Sequence, residues 1–338
     1  SYTTNLGKRL LADGRKLQKD EFEFELKIDS AKDLNGRDYG DDHGIILPNG
    51  TTAKNDVPGT GIWKSNEDTQ DVGEVSFGTI QFTKPGTYVL SAREKIPADA
   101  EKVEDDIYKK DGIYYSTNEV KATYRVTESN GQLSVVRIGL DGSEIFVNTY
   151  ETSGTLDGAA NLEIQKSING RDWQEGDVFT FELALISAKD LSGNAYTEEN
   201  SGVTLPTSRI TIAYEEGKNA EDYKEHFGDI TFIKTGIFEF AIREQTDNLP
   251  KGVSGAAERR VFVRVMDENN NGELTVVSKI VLAGTDTAAD MQFVNEYAPK
   301  DPAVAAFRGL KKVLQGKTWN GDSFTFHLAA VKAETPDG

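Results

Sequence analysis

The chain has 338 residues, 37% of them hydrophobic and 9% aromatic, with a formal net charge of −18 and no cysteine. That length fits about two domains, each able to bury its own core, while the negative charge argues against nucleic acid as a partner because phosphates would be repelled. The missing cysteines exclude thiol catalysis, Cys-ligated zinc and disulfide stapling, and with no apolar run approaching the roughly 20 residues that cross a membrane, no membrane insertion is expected of this stretch.

In chain order, Lys8 precedes Gly14-Arg15, and the run Phe22-Glu23-Phe24-Glu25-Leu26-Lys27-Ile28 alternates apolar and polar residues, the period of a half-buried strand. Asp33 to Asp38 opens like a calcium loop, but the ligand series and the terminal bidentate Glu are wrong, so it reads as a turn. Leu47-Pro48-Asn49-Gly50-Thr51 resembles a sortase signal only superficially, sits mid-domain without an apolar tail, and reads as a loop. Strands are expected at Gly78 to Phe82 and Tyr88 to Leu90, and Asn130-Gly131 lies between Tyr124–Val126 and Leu133–Val136 as a hairpin requires. Phe146-Val147-Asn148-Thr149-Tyr150 closes the set.

The same order then returns. Lys166 precedes Gly170-Arg171, followed by Phe179-Thr180-Phe181-Glu182-Leu183, Gly228 to Phe232, Ile237 to Ile242, the turn at Asn270-Asn271-Gly272, and Phe293-Val294-Asn295-Glu296-Tyr297. A third opening has Lys312 before Gly316-Lys317 and a further Phe324-Thr325-Phe326-His327-Leu328 run, with no closing strand. A repeat of about 145 to 157 residues is a whole domain. Small residues with Pro or Gly near Ser153–Ala160 and Ala298–Ala306 place the boundaries, giving repeat one at 1–152, repeat two at 153–299, and an incomplete third repeat at 300–338. Short strands with regular turn signals and no long amphipathic helix predict an all-β fold of tandem β-sandwiches.

Candidate chemistry rests on residues that recur in order: a Lys in the first strand, a Glu after an apolar strand, and an Asn in the last strand. These are Lys8, Glu94 and Asn148 in repeat one, and Lys166, Glu244 and Asn295 in repeat two. Gly86 to Glu94 aligns without a gap on Gly236 to Glu244. Lys166 and Lys312 stand four residues before their Gly, whereas Lys8 stands six before Gly14 with Leu10 at the four-residue spacing; Leu11-Ala12 reads as a loop insertion. The histidines His43, His226 and His327 lack ligand spacing, so no metal site or cofactor is expected, and no Gly-x-Ser-x-Gly, phosphate loop or dinucleotide fingerprint occurs.

This ordered set resembles the pilin isopeptide-linkage domains of Gram-positive surface proteins, immunoglobulin-like modules related to the B-type repeats of collagen adhesins and to streptococcal pilus shafts. The resemblance covers both repeats and the opening of the third. It implies tandem immunoglobulin-like β-sandwiches, each holding an autocatalytic Lys–Asn isopeptide bond. The amine of Lys8 or Lys166 attacks the amide of Asn148 or Asn295, ammonia leaves, and a neutral Glu94 or Glu244 hydrogen-bonds the amide carbonyl, polarises it and shuttles protons. Burial makes this credible, because it favours a neutral lysine and a neutral carboxyl, and folding supplies the proximity. Such a reaction turns over once, so no enzyme is implied, and Lys312 has no Asn partner within this chain. The function implied is an extracellular, cell-wall-attached stalk or pilus-shaft segment in which tension passes through the bond, partnered by further repeats of its own polypeptide. Two alternatives stand beside it. One is an adhesive module for a host matrix protein or glycan, using the segments that differ between copies (Trp63 to Asp71, Ala98 to Tyr115 with Tyr108, Tyr114 and Tyr115 either exposed for binding or packed on the sandwich edge, Tyr214 to Lys224). The other is an accessory β-module of a secreted glycan-degrading enzyme.

Overall fold

The computed structural model describes residues 1–65, 67–255, 257–299, 303–306 and 308–333. The alternating Phe-x-Phe runs of the two repeats become long central strands, Glu23–Lys32 and Val178–Lys189, and their inward residues Phe24 and Leu26, or Phe179, Phe181 and Leu183, are buried. Each pairs antiparallel with the strand that ends in the candidate glutamate, Gly86–Glu94 or Gly236–Glu244. The pairing slips once in each repeat, between Ile28 and Ser30 and between Leu185 and Ser187, a β-bulge copied with the domain. Glu119–Ser129 and Gln132–Asp141 extend this face in repeat one, Glu258–Met266 and Thr275–Leu282 in repeat two. The expected hairpin at Asn130-Gly131 forms with φ of 52° and 79°, the left-handed pair that a tight two-residue turn needs.

The opposite face carries the chain ends of each repeat side by side. Leu6–Ala12 runs parallel to Ile145–Tyr150, with Phe146 opposite Lys8 and Asn148 opposite Leu10. Glu163–Asn169 runs parallel to Gln292–Tyr297, with Phe293 opposite Lys166 and Asn295 opposite Ile168. Both repeats therefore share one register, and it is Lys8 rather than Leu10 that occupies the place of Lys166. In repeat one the strand Thr52–Pro58 pairs with Glu23–Lys32 through its first half and with Val72–Val75 through its second, which joins the two faces. In repeat two the faces are separate sheets of five and four strands. Aromatic side chains fill the space between: Phe24 meets Phe146 at 5.2 Å, and Phe181 meets Phe293 at 5.0 Å.

The copy-specific segment after Ala98 forms strands Glu101–Glu104, Ile107–Lys110 and Ile113–Ser116, which extend the face that holds Ile145–Tyr150. Of the two readings of its tyrosines, packing on the sandwich edge is the one seen: Tyr115 is buried against Phe22, and Tyr108 and Tyr114 are half-buried. Ser1–Ala298, holding both repeats, is one compact unit, and the chain from Pro299 on is another. Among the described residues of that second unit no strand forms, so the expected third Phe-x-Phe strand at Phe324 to Leu328 is absent, and its Phe324, Phe326 and Leu328 side chains are exposed. In repeat two that strand is held by Arg209–Ala213 on one edge and Gly236–Glu244 on the other. Among the described residues after Leu328 neither partner strand forms, and a lone strand has no ladder to stabilise it.

Candidate functional site

The two faces of each sandwich bring the recurring Lys, Glu and Asn together. In each repeat the Lys and Asn come from the parallel pair on one face and the Glu from the end of a strand on the other, so all converge in the core. Lys8, Glu94 and Asn148 are buried, as are Lys166, Glu244 and Asn295. A charged lysine in such a place is costly, which is why its surroundings decide its chemistry.

In repeat one the Glu94 carboxylate bridges the other two groups. Lys8 Nζ donates to its Oε2 at 2.7 Å, and Asn148 Nδ2 donates to its Oε1 at 2.8 Å. Glu94 thus engages the amide nitrogen, not the carbonyl oxygen expected from the sequence, and among the described residues Asn148 Oδ1 has no hydrogen-bond partner. In repeat two the amine is turned to the backbone: Lys166 Nζ donates to the carbonyls of Ser167 at 2.8 Å and Phe293 at 3.1 Å and stands 3.5 Å from Glu244 Oε1. Among the described residues, neither the Glu244 oxygens nor the Asn295 amide makes a hydrogen bond of regular geometry, although Asn295 lies near enough to Glu244 to favour its carboxylate. Burial lowers Lys8 to about 8, against the opposing pull of Glu94, and lowers Lys166 to about 8 against that of Glu244. Burial also raises both glutamates, which favours the carboxylic acid, with the neighbouring lysine opposing in each case. Burial therefore drives the amine and the carboxyl each toward its own neutral form, the condition for nucleophilic attack and proton relay.

Two further features recur that the sequence reading did not assign a role. The lysine amine lies over an aromatic ring in every copy: Lys8 over Phe22 at 4.3 Å, Lys166 over Phe179 at 4.5 Å, and Lys312 over Phe324 at 4.6 Å. The loop between lysine and Phe-x-Phe is clamped by a basic residue after the glycine and a carboxylate before the first Phe. Arg15 pairs with Glu21, Arg171 forks onto Asp177 with both bonds at 2.7 Å, and Lys317 meets Asp322 at 3.0 Å. In each loop the same carboxylate also accepts a backbone N–H, from Gln18, Gln174 or Asn320. The signal was present as an acid just ahead of each Phe-x-Phe run. Lys312 is exposed and keeps the ring contact without the buried surroundings of Lys8 and Lys166. Among the described residues no cluster of His, Asp and Glu is arranged to hold a metal ion, and no helix is long and apolar enough to cross a membrane.

The chain matches the family described as FctA, Spy0128-like isopeptide containing domain, over residues 4–151 and 162–298. Among solved structures it is similar to the major pilin from Streptococcus pyogenes (14% identity, covering 87% of this chain and 96% of that chain, TM-score 0.29). It is also similar to the T-13 major pilin from Streptococcus pyogenes (16% identity, 88% and 97% covered, TM-score 0.29). The T3.2 major pilin from the same organism gives 17% identity, 88% and 98% coverage and a TM-score of 0.28. No curated protein matches the chain.

Proposed function

Since the chain belongs to the family of Spy0128-like isopeptide-containing domains, we propose that it is a stalk or pilus-shaft segment, carried on the outer surface of a Gram-positive cell wall and stabilised by Lys8–Asn148 and Lys166–Asn295 isopeptide bonds. The observation that carries this reading is the Glu94 carboxylate lying between Lys8 Nζ and Asn148 Nδ2 at 2.7 and 2.8 Å inside a closed core. The neutral Lys8 amine adds to Cγ of Asn148, forming the new N–C bond. Glu94 accepts the proton that the amine loses through Oε2 and passes a proton to Nδ2 through Oε1, and the C–Nδ2 bond breaks to release ammonia. No water, metal or external group is needed for the balance. Lys166, Glu244 and Asn295 take the same roles once Nζ leaves the carbonyls of Ser167 and Phe293. Folding replaces substrate binding, so each site reacts once.

The test is the intact mass of the purified, denatured protein. Loss of two ammonia molecules is expected, with one regained in Glu244→Ala and both regained in Glu94→Ala/Glu244→Ala, after allowing for the substitutions. The mass of the unmodified chain would leave two ordinary sandwich repeats and remove the covalent stalk.

A further inference from the structure

The joint between the repeats carries an inference that is independent of the crosslinks. The last strand of repeat one ends at Tyr150 and the next strand, Gly154–Leu156, belongs to repeat two. The residues between them are tied to both bodies. The Glu151 N–H donates to the Gly112 carbonyl of repeat one at 2.9 Å. The Thr152 hydroxyl donates to the Ile233 carbonyl of repeat two at 2.8 Å. The Ser153 N–H donates to the Gly272 carbonyl at 2.8 Å, and its own carbonyl accepts from Leu274 at 2.8 Å. A hinge needs residues whose dihedrals turn at little cost, and here each linking residue would break a bond to turn.

Around this linker the repeats touch closely. Gly112 and Gly272 lie back to back, and a Cβ built on Gly272 would stand 2.8 Å from Gly112 Cα, well inside carbon–carbon contact. The Tyr150 hydroxyl donates to the Asp267 carboxylate and accepts from the Gly272 N–H at 2.9 Å. Across the joint Asp13 of repeat one pairs with Lys234 of repeat two at 2.8 Å.

Lys234 sits in a cradle that exists twice. It lies 5.2 Å over Tyr196 and donates to Asn200 Oδ1 at 2.6 Å, as Lys84 lies 5.1 Å over Tyr39 and donates to Asp42 Oδ2 at 2.5 Å. Asp42 and Asn200 each stand two residues before the glycine, Gly44 or Gly202, that packs on the lysine stem. In repeat one the acid belongs to the cradle itself and the lysine side chain is 32% exposed; in repeat two the cradle has only the neutral Asn200, and Lys234 is 6% exposed with its acid supplied by the docked repeat. The residue that matches Asp13 at the far end of repeat two, just before Gly170, is the neutral Asn169. A shielded cation without an acid is unfavourable, so the socket discriminates between these two ends.

We propose that this joint locks the two repeats into a single rigid strut, and that Lys234 with Asn200 is a socket selecting a module end that carries an acid at the Asp13 position. The absence of cysteine makes the test direct. Spin labels go on Gln132→Cys in repeat one and Lys279→Cys in repeat two, both exposed in the full chain, and the distance distribution is read by pulsed electron resonance. A narrow distribution is expected. It should widen to about twice that width in Gly272→Val, which wedges the glycine contact, and in Asp13→Asn, which removes the acid. Asp13→Asn combined with Asn200→Asp returns the acid to the cradle and should narrow it again; Asp13 and Asn200 are both surface residues, so these changes leave the cores intact. A broad distribution in the unsubstituted chain, or widths unchanged in Gly272→Val and Asp13→Asn, overturns the rigid joint. Failure of the double variant to restore the width overturns the socket.

Discussion

Replacing Lys166 with Met isolates what the proposed Lys166–Asn295 bond contributes to one repeat. Met fills much of the space of the lysine stem above Phe179, and Glu244, already driven toward its neutral acid by burial, is left without a charge to balance. Packing and electrostatics therefore change little, and the main loss is the covalent closure of the 128 residues that separate Lys166 from Asn295. In the chain-entropy account a loop of that length restricts the unfolded state by about 5 kcal/mol at 25 °C. For a domain of this size each kcal/mol moves the melting temperature by about 3 °C, so the repeat-two transition should fall by about 15 °C. Scanning calorimetry of the full chain reads this directly, with the repeat-one transition as an internal standard. Intact mass of the same sample should show one ammonia regained. A repeat-two transition within about 3 °C of the unsubstituted chain, or an unsubstituted mass that already retains the Asn295 amide, would refute the reasoning.

Two further outcomes follow from the geometry. In Asn148→Ala, Lys8 stays an amine with a folded pKa of about 8, below its ordinary 10.5. The unfolded chain then binds more protons between those values, so the Lys8 contribution to stability should be least favourable below about pH 8 and rise from there to about pH 10.5. The rise should be read against Lys8→Met/Asn148→Ala, which removes the titrating amine. It should be missing from the unsubstituted chain, where the proposed bond turns the Lys8 amine into an amide nitrogen that does not titrate. Asp177→Ala should destabilise repeat two by about 3 kcal/mol in urea unfolding, because it leaves the largely buried Arg171 without its carboxylate.

Much of this architecture was legible because duplication wrote it twice. Alternation at Phe22 to Ile28 and Phe179 to Leu183 marked the central strands, and Asn130-Gly131 marked its hairpin, since both signals are local. The recurring Lys, Glu and Asn could be picked out, but not the atom of the amide that the carboxyl touches, which depends on how two sheets close on one another. The parallel pairing of first and last strands, the shared bulge, and the strand Thr52–Pro58 that serves both faces are long-range choices with no local signature. Phe324 to Leu328 shows the converse: it carries the same local pattern as Phe179 to Leu183, yet forms no strand, with no neighbouring strand beside it among the described residues. A side-chain pattern favours a strand, and only a partner ladder makes one.

The parallel arrangement of the strands that carry Lys8 and Asn148 has a consequence even for a molecule that has not reacted. When the chain is pulled, the force enters at the start of Leu6–Ala12 and leaves at the end of Ile145–Tyr150, and because the strands run the same way these points lie at opposite ends of the ladder. The hydrogen bonds between them are then loaded in shear and must fail together, where an antiparallel pair pulled from adjacent ends would unzip one bond at a time. The topology by itself is a mechanical clamp, and it holds Lys8 and Asn148 in register under load for as long as the proposed reaction takes.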